Sequence, residues 1–146
     1  MVNVDILIGI DTGVNTGFAE YYASDGLLIC DCKKIHKALF RVLELAQDNA
    51  KIHVVVEDAR LARFWKNKDY ARAQGAGSVK RDAKIWEEFL ADLGKDYAVT
   101  FELRRPNKAL TKLSAEAFKK ITGYKKRVNE HARDAAMLIY NRKFTV

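Results

Sequence analysis

The chain has 146 residues, with 26 Lys and Arg against 19 Asp and Glu, a net charge of +7 and a pI near 9.4. Apolar and charged fractions of 49% and 31% exclude a disordered or low-complexity chain, and the length predicts one domain over residues 1–146. No apolar run approaches the roughly 20 residues of a bilayer-spanning helix, and acidic Asp5 stands where a secretory leader would be basic, so a soluble, cytoplasmic protein with no membrane partner is expected.

Val4 to Ile10 is a continuous apolar run suited to a strand covered on both faces, and it ends in Asp11. The next residues, Thr12-Gly13-Val14-Asn15-Thr16-Gly17, form a glycine turn. Gly13 and Gly17 leave room there for a phosphate or a second chain to approach the backbone. Thr16 to Ala23 and Leu27 to Lys33 read as antiparallel successors joined by the Ser24-Asp25-Gly26 turn. Cys30 and Cys32 share a face of the third strand. His36 is near, but a fourth ligand and the usual paired spacing are missing, so reduced thiols are expected rather than zinc or a disulfide. Ile35, Leu39, Val42, Leu43 and Ala46 have the spacing of one helical face. Ile52 to Val56 is a second short β-branched run, and it too ends in an acid, Glu57.

Asp58 to Gln74 has no clean period and alternates Arg60, Arg63, Lys66, Lys68 and Arg72 with Phe64, Trp65 and Tyr70. It reads as an exposed connection or a partly helical protrusion. Gly75 and Gly77 punctuate its end, and Ser78 is placed to cap a helix whose apolar face runs through Val79, Ile85, Trp86, Phe89, Leu90 and Leu93 before Gly94 stops it. Tyr97 to Leu103 alternates as a fifth strand, and Pro106 ends regular structure. Ala109 to Thr122 and Asn129 to Arg142 are predicted as the last helices, separated by Gly123 and the basic run Lys125-Lys126-Arg127. Three strands, helix, strand, helix, strand, helix, helix suits an α/β fold: a mixed five-stranded sheet, three strands antiparallel and the rest added by right-handed crossovers, with helices on both faces.

That order allows the first and fourth strands to lie side by side, bringing Asp11 and Glu57 together, where two acids repel unless a cation sits between them. Asp58, adjacent to Glu57 on a strand, points to the opposite face. In the last helix His131 and Asp134 are three apart and share a face near its start. Docked beside those strands, this helix completes a pocket of three carboxylates, Asp11, Glu57 and Asp134, with His131 on its rim. Hard oxygen ligands without thiolate favour Mg2+ or Mn2+ over zinc. Two such ions about 4 Å apart are suited to activating a water on one side of a phosphodiester and stabilising the leaving oxygen on the other. Kinase-like ATPases also use a strand, an acid and a glycine turn, but need a second nucleotide-binding lobe for which the chain has no room.

Gly9-Ile10-Asp11-Thr12-Gly13 with Thr16-Gly17, Val54-Val55-Val56-Glu57, and His131-Ala132-Arg133-Asp134-Ala135-Ala136, in this order, resemble the RuvC-type Holliday junction resolvases of the ribonuclease H-like superfamily. Element order carries the resemblance over nearly the whole chain. It implies a ribonuclease H-like fold and a homodimeric endonuclease of bacterial or phage-infected cells. Such an enzyme nicks two opposed strands of a four-way DNA junction, leaving 5′-phosphate and 3′-hydroxyl ends. By the resemblance, Asp11, Glu57 and Asp134 are metal ligands and His131 fills the place of an acid common in other members. His131 is then a metal ligand, a water-positioning group or a contact to the departing strand.

The same resemblance suggests that Lys108 or Lys112 assists at the scissile phosphate, and that the helix carrying Trp86 and Phe89 pairs two protomers. Independently of it, Arg60, Arg63, Lys66, Lys68 and Arg72, with Lys80, Arg81 and Arg105, are candidates to grip phosphates. Phe64, Trp65 or Tyr70 is a candidate to stack on unpaired bases of a branched DNA. Two other readings fit the residues: a ribonuclease H-like nuclease for flaps, RNA–DNA hybrids or preribosomal RNA, and a junction-binding module with a degenerate metal site.

Overall fold

The computed structural model describes residues 3–61, 70–106 and 113–140, with 70–76 described by backbone alone. Three antiparallel strands open the chain, β1 (Ile6–Asp11), β2 (Asn15–Tyr22) and β3 (Leu27–Lys34). Helix α1 (Ile35–Gln47) crosses to β4 (Ile52–Glu57), and a 3₁₀ turn (Ala59–Leu61) precedes helix α2 (Tyr70–Asp96). Strand β5 (Val99–Arg104) and helices α3 (Ala115–Thr122) and α4 (Glu130–Ile139) follow. The strands form one mixed sheet in the order β3-β2-β1-β4-β5, with β4 parallel to both β1 and β5. The predicted order and the α/β class with a mixed five-stranded sheet are thus observed.

Strand alternation sends side chains to two separate cores. Ile6, Ile8 and Ile10 of β1, with Val54 and Val56 of β4, pack under α1 and α2 against Ala38, Val42, Trp86 and Leu90. Leu7, Ala19, Cys30 and Val55 face the other way, against Ala132, Ala135, Ala136 and Ile139 of α4 and Phe118 of α3. The continuous apolar runs of β1 and β4 follow from this double coverage, and each fully buried aliphatic side chain contributes about 1.5–3 kcal/mol.

Several boundaries differ from the sequence reading. Helix α2 starts at Tyr70, so Ser78 lies inside it rather than at its cap, and Gly75, Gly77 and Gly94 are helical residues. A glycine costs a helix interior only about 1 kcal/mol, and the packing of Trp86, Leu90 and Leu93 into the sheet core outweighs it. Strand β5 begins at Val99, two residues later than predicted. Helix α3 is shorter than predicted: Ser114 caps it at Ala115 by accepting a bond from the Ala117 amide, and Gly123 closes it in the left-handed region at φ 70°. Asn129 is the N-cap of α4, not its first residue. Both cysteines are free, as expected, and burial pushes the Cys30 thiol up to about 11. No helix among the described residues is long and apolar enough to cross a membrane.

Candidate functional site

Asp11 and Glu57 are the last residues of β1 and β4 and are direct register partners across that parallel pair. Each follows a core-facing residue, Ile10 and Val56, so alternation turns both carboxylates to the α4 face. The register continues as a row across the sheet end: Cys32, Gly17, Asp11, Glu57 and Arg104. Arg104 does not neutralise its neighbour Glu57. Its guanidinium turns to Glu102 at 3.8 Å and to the Leu138 carbonyl at 3.4 Å. The Thr12 hydroxyl donates to the Glu57 carbonyl at 3.1 Å and ties the β1 end to the β4 end.

Two glycines let α4 reach this row. A Cβ at Gly9 would collide with the Ala135 carbonyl, and one at Gly17 with the His131 carbonyl, as well as coming within 2.9 Å of the Asp11 Cβ. The room at Gly17 is therefore filled by α4, correcting its reading as a gap for a phosphate or a second chain to approach. With α4 this close, His131 Nδ1 lies 3.1 Å from Asp11 Oδ2. An ionised carboxylate can only accept, so Nδ1 is the donor. Asn129 fixes the start of the helix by accepting from the Ala132 amide at 3.0 Å. Arg133 braces the approaching chain by donating to the carbonyls of Val128 and Leu113 at 2.6 and 2.9 Å.

Burial pushes the Asp11 carboxyl up to about 6, the Asp134 charge adds to the rise, and the His131 hydrogen bond works against it. Burial likewise pushes Glu57 up to about 7, with the Asp11 and Asp134 charges adding to the effect. The three acids therefore sense one another, and Glu57 Oε2 is buried with no hydrogen-bond partner. As the side chains stand, no three His, Cys, Asp or Glu groups among the described residues converge tightly enough to enclose one ion. The arrangement is a strained acidic pair with a third acid and an imidazole beside it.

Asp58 faces away from the pair, as alternation requires, and is 1% exposed. It is held by Arg60, with Nη2 at 2.6 Å from Oδ2. Arg60 also reaches Glu87 at 3.2 Å, so its guanidinium, 26% exposed, is paired twice within the fold. Arg105 is exposed and donates to the Leu61 carbonyl at 3.2 Å. Lys80 and Arg81 are exposed on α2. Arg63, Phe64, Trp65, Lys66, Lys68, Lys108 and Lys112 lie outside the described residues, and the side chains of Tyr70 and Arg72 are likewise not described.

Sequence reasoning singles out neither Thr12 nor Gly9, although both sit in the motif around Asp11. It also treats the cations between α3 and α4 as a mere separator. No family model matches the sequence, and no curated protein matches it significantly.

Proposed function

We propose that the chain is a divalent-metal-dependent nuclease of the ribonuclease H-like type, acting as a RuvC-like resolvase on four-way DNA junctions. The observation carrying this reading is the placement of Asp11 and Glu57 as register partners at the carboxyl ends of adjacent parallel strands, with Asp134 close enough to raise Glu57. Two half-buried acids side by side, one with an orphaned buried oxygen, are costly without a cation. The donor set of hard oxygens and one imidazole fits Mg2+ or Mn2+, although the side chains do not converge as they stand. Asp11, Glu57, Asp134 and His131 would hold the metal, which supplies Lewis acidity and a nucleophile at neutral pH.

The chain's own residues prepare this chemistry. Thr12 and the β1–β4 register fix the two strand ends, so the carboxylates approach a phosphodiester from a rigid base. His131 holds a proton at Nδ1 against Asp11, which keeps that carboxylate ionised more readily than burial alone would allow. The resemblance assigns paired protomers and paired nicks, and Lys108 or Lys112 as a cation at the scissile phosphate.

The test is cleavage of a labelled four-way junction with Mg2+ or Mn2+, beside flap, duplex and RNA–DNA hybrid substrates. Paired, nearly symmetric nicks made by the wild type and absent from Asp11→Asn support the resolvase. Preference for a hybrid or flap moves the reading to another nuclease of the same type. A second reading draws on the unconverged acids: a junction-binding module without catalysis. It requires tight junction binding, no metal-dependent cut, and no loss on changing Glu57 or Asp134.

A further inference from the structure

The segment from Leu113 to Asn129 holds five cations, Lys119, Lys120, Lys125, Lys126 and Arg127, against one acid, Glu116. A surplus of four charges thus sits in 17 residues of a chain whose total is +7. All five cations are exposed, and none forms an ion pair among the described residues. Among the other described cations, Lys33 is paired with Asp31, Arg41 with Glu20 and Glu44, Arg60 with Asp58 and Glu87, and Lys84 with Glu88.

The backbone carrying this charge is held at both ends. Gly123 turns the chain out of α3 in the left-handed region, and the Tyr124 hydroxyl exchanges bonds with the Cys30 amide and carbonyl at 3.2 and 3.4 Å. The Tyr124 ring also meets Phe118 edge-on at 6.1 Å. At the other end Arg133 donates to the Val128 and Leu113 carbonyls. Between these anchors lies a cleft of about 360 Å3 whose charged lining is Lys119, Lys125, Lys126, Arg127 and Arg133, with Glu116 the one acid on its wall. A held loop loses little entropy when its lysines meet an anion.

Arg127 is four positions before His131, which limits their backbone separation to on the order of 14 Å. Successive phosphates of one strand advance about 3.4 Å along a duplex. A strand lying on this rim would therefore present a phosphodiester to Asp11 and Glu57 within a few nucleotides.

We propose that the α3–α4 connection, through Lys119, Lys125, Lys126 and Arg127, is a phosphate-backbone-binding rim that delivers a nucleic-acid strand to the carboxylate pair. The delivery role rests on the nuclease reading above; the binding role does not. The occupant is nucleic acid: a net charge of +7 favours a polyanion, and a held row of unpaired cations along a cleft matches successive phosphates of one strand.

The experiment is anisotropy titration of the full chain, in EDTA, with labelled four-way junction, duplex DNA and single-stranded RNA over a range of salt. A variant carrying K125A, K126A and R127A is compared with a control carrying K51A, K84A and K95A. The rim variant is expected to lose tenfold or more in affinity at moderate salt, and its log K against log salt slope on duplex arms to flatten by about 2–3, near 0.9 per lost contact. The control keeps the wild-type slope, and circular dichroism confirms that both variants fold. K126E alone, expected to weaken binding several-fold, is the second variant should the triple not fold. An unchanged slope in the rim variant overturns the proposal. So does equal loss in the control, or wild-type binding to anionic phospholipid vesicles with none to nucleic acid. Absence of cleavage by a wild type that binds with the rim-dependent slope would instead remove the nuclease reading and leave the rim standing.

Discussion

Asp11 and Glu57 face each other across the parallel β1–β4 pair, two acids at the same register position and on the same face of the sheet. Opposed like charges destabilise a sheet, and burial deepens the conflict by raising both carboxyls, Asp11 to about 6 and Glu57 to about 7. The fold accepts this because β1 and β4 are each covered on both faces, and the apolar runs beneath the acids hold the register.

The first prediction is a stability that falls with pH in metal-free protein. Both carboxyls keep their proton to higher pH when folded than the ordinary 3.8 and 4.5. Between about pH 4 and 7 the folded state therefore binds more protons, and stability is fullest below that window and declines through it. The loss amounts to a few kcal/mol, since each tenfold change in proton affinity corresponds to about 1.4 kcal/mol. Buried His53, held below its usual value by burial and then by the Arg104 charge, works in the opposite sense. The difference between wild type and Glu57→Gln isolates the carboxyl contribution. In EDTA the wild-type melting temperature should drop relative to Glu57→Gln from pH 5 to pH 8, and a constant gap would refute the coupling.

Metal should reverse that penalty. Under the nuclease reading, Mn2+ at a hundredfold excess over its dissociation constant stabilises the folded chain by about 2.7 kcal/mol. Thermal melts at pH 7.5 should shift upward with Mn2+ in the wild type and stay put in Asp11→Asn. Equal shifts in both proteins would place the ion elsewhere.

The acids are legible in the sequence because each ends a plainly apolar strand, and the register then follows from β1 and β4 being neighbours. His131 and Asp134 are legible from their three-residue spacing at a helix start. The start of α2 is not, because its first turns carry two glycines and no apolar period, while the packing that sustains the helix comes later, at Trp86, Leu90 and Leu93. At Gly17 the sequence shows that space is needed beside the backbone, but not that α4 fills it. The commitment of Arg60 to Asp58 and Glu87 is hidden too, since Glu87 lies 27 residues away.

Glycine substitutions separate close approach from mere helix placement. Gly17→Ala drives a Cβ into the His131 carbonyl, a backbone atom that cannot step aside without moving α4. It should cost about 1–3 kcal/mol or more in urea denaturation, the range for overpacking. Gly77 lies in α2, with nothing within 4 Å of the place a Cβ would take. Gly77→Ala should stabilise by about 0.5–1 kcal/mol. A Gly17→Ala variant as stable as Gly77→Ala would contradict the docking of α4.

Asp58 is a structural acid next to a candidate metal ligand, Glu57. It is 1% exposed, accepts from the Arg60 side chain at both oxygens, and also accepts from the Arg60 amide. Asp58→Ala leaves the Arg60 guanidinium without its principal partner and should cost about 1–3 kcal/mol, since Arg60 is 26% exposed and keeps Glu87. Glu57→Gln, one residue away, should instead leave stability equal or higher at neutral pH. Urea midpoints compared at pH 7.5 decide it, and a larger loss at Glu57 would reverse the two assignments.

His131 is the group whose removal should be felt through Asp11. Its Nδ1 donates to Asp11 Oδ2, and that bond and its charge hold the carboxyl below the value burial and the Asp134 charge would otherwise impose. His131→Ala should therefore carry the Asp11 carboxyl above about 6, visible in a carbon-detected NMR titration of metal-free protein. Because the side chain leaves from the first turn of α4, while Asn129 still caps the helix through Ala132, the melting temperature should change little. Under the nuclease reading the same variant should cut more slowly, by a factor of about 10²–10³ if His131 also moves a proton. The rate should recover in part at higher pH as Asp11 ionises. An Asp11 carboxyl that titrates no higher in His131→Ala than in the wild type would show that the imidazole does not govern it.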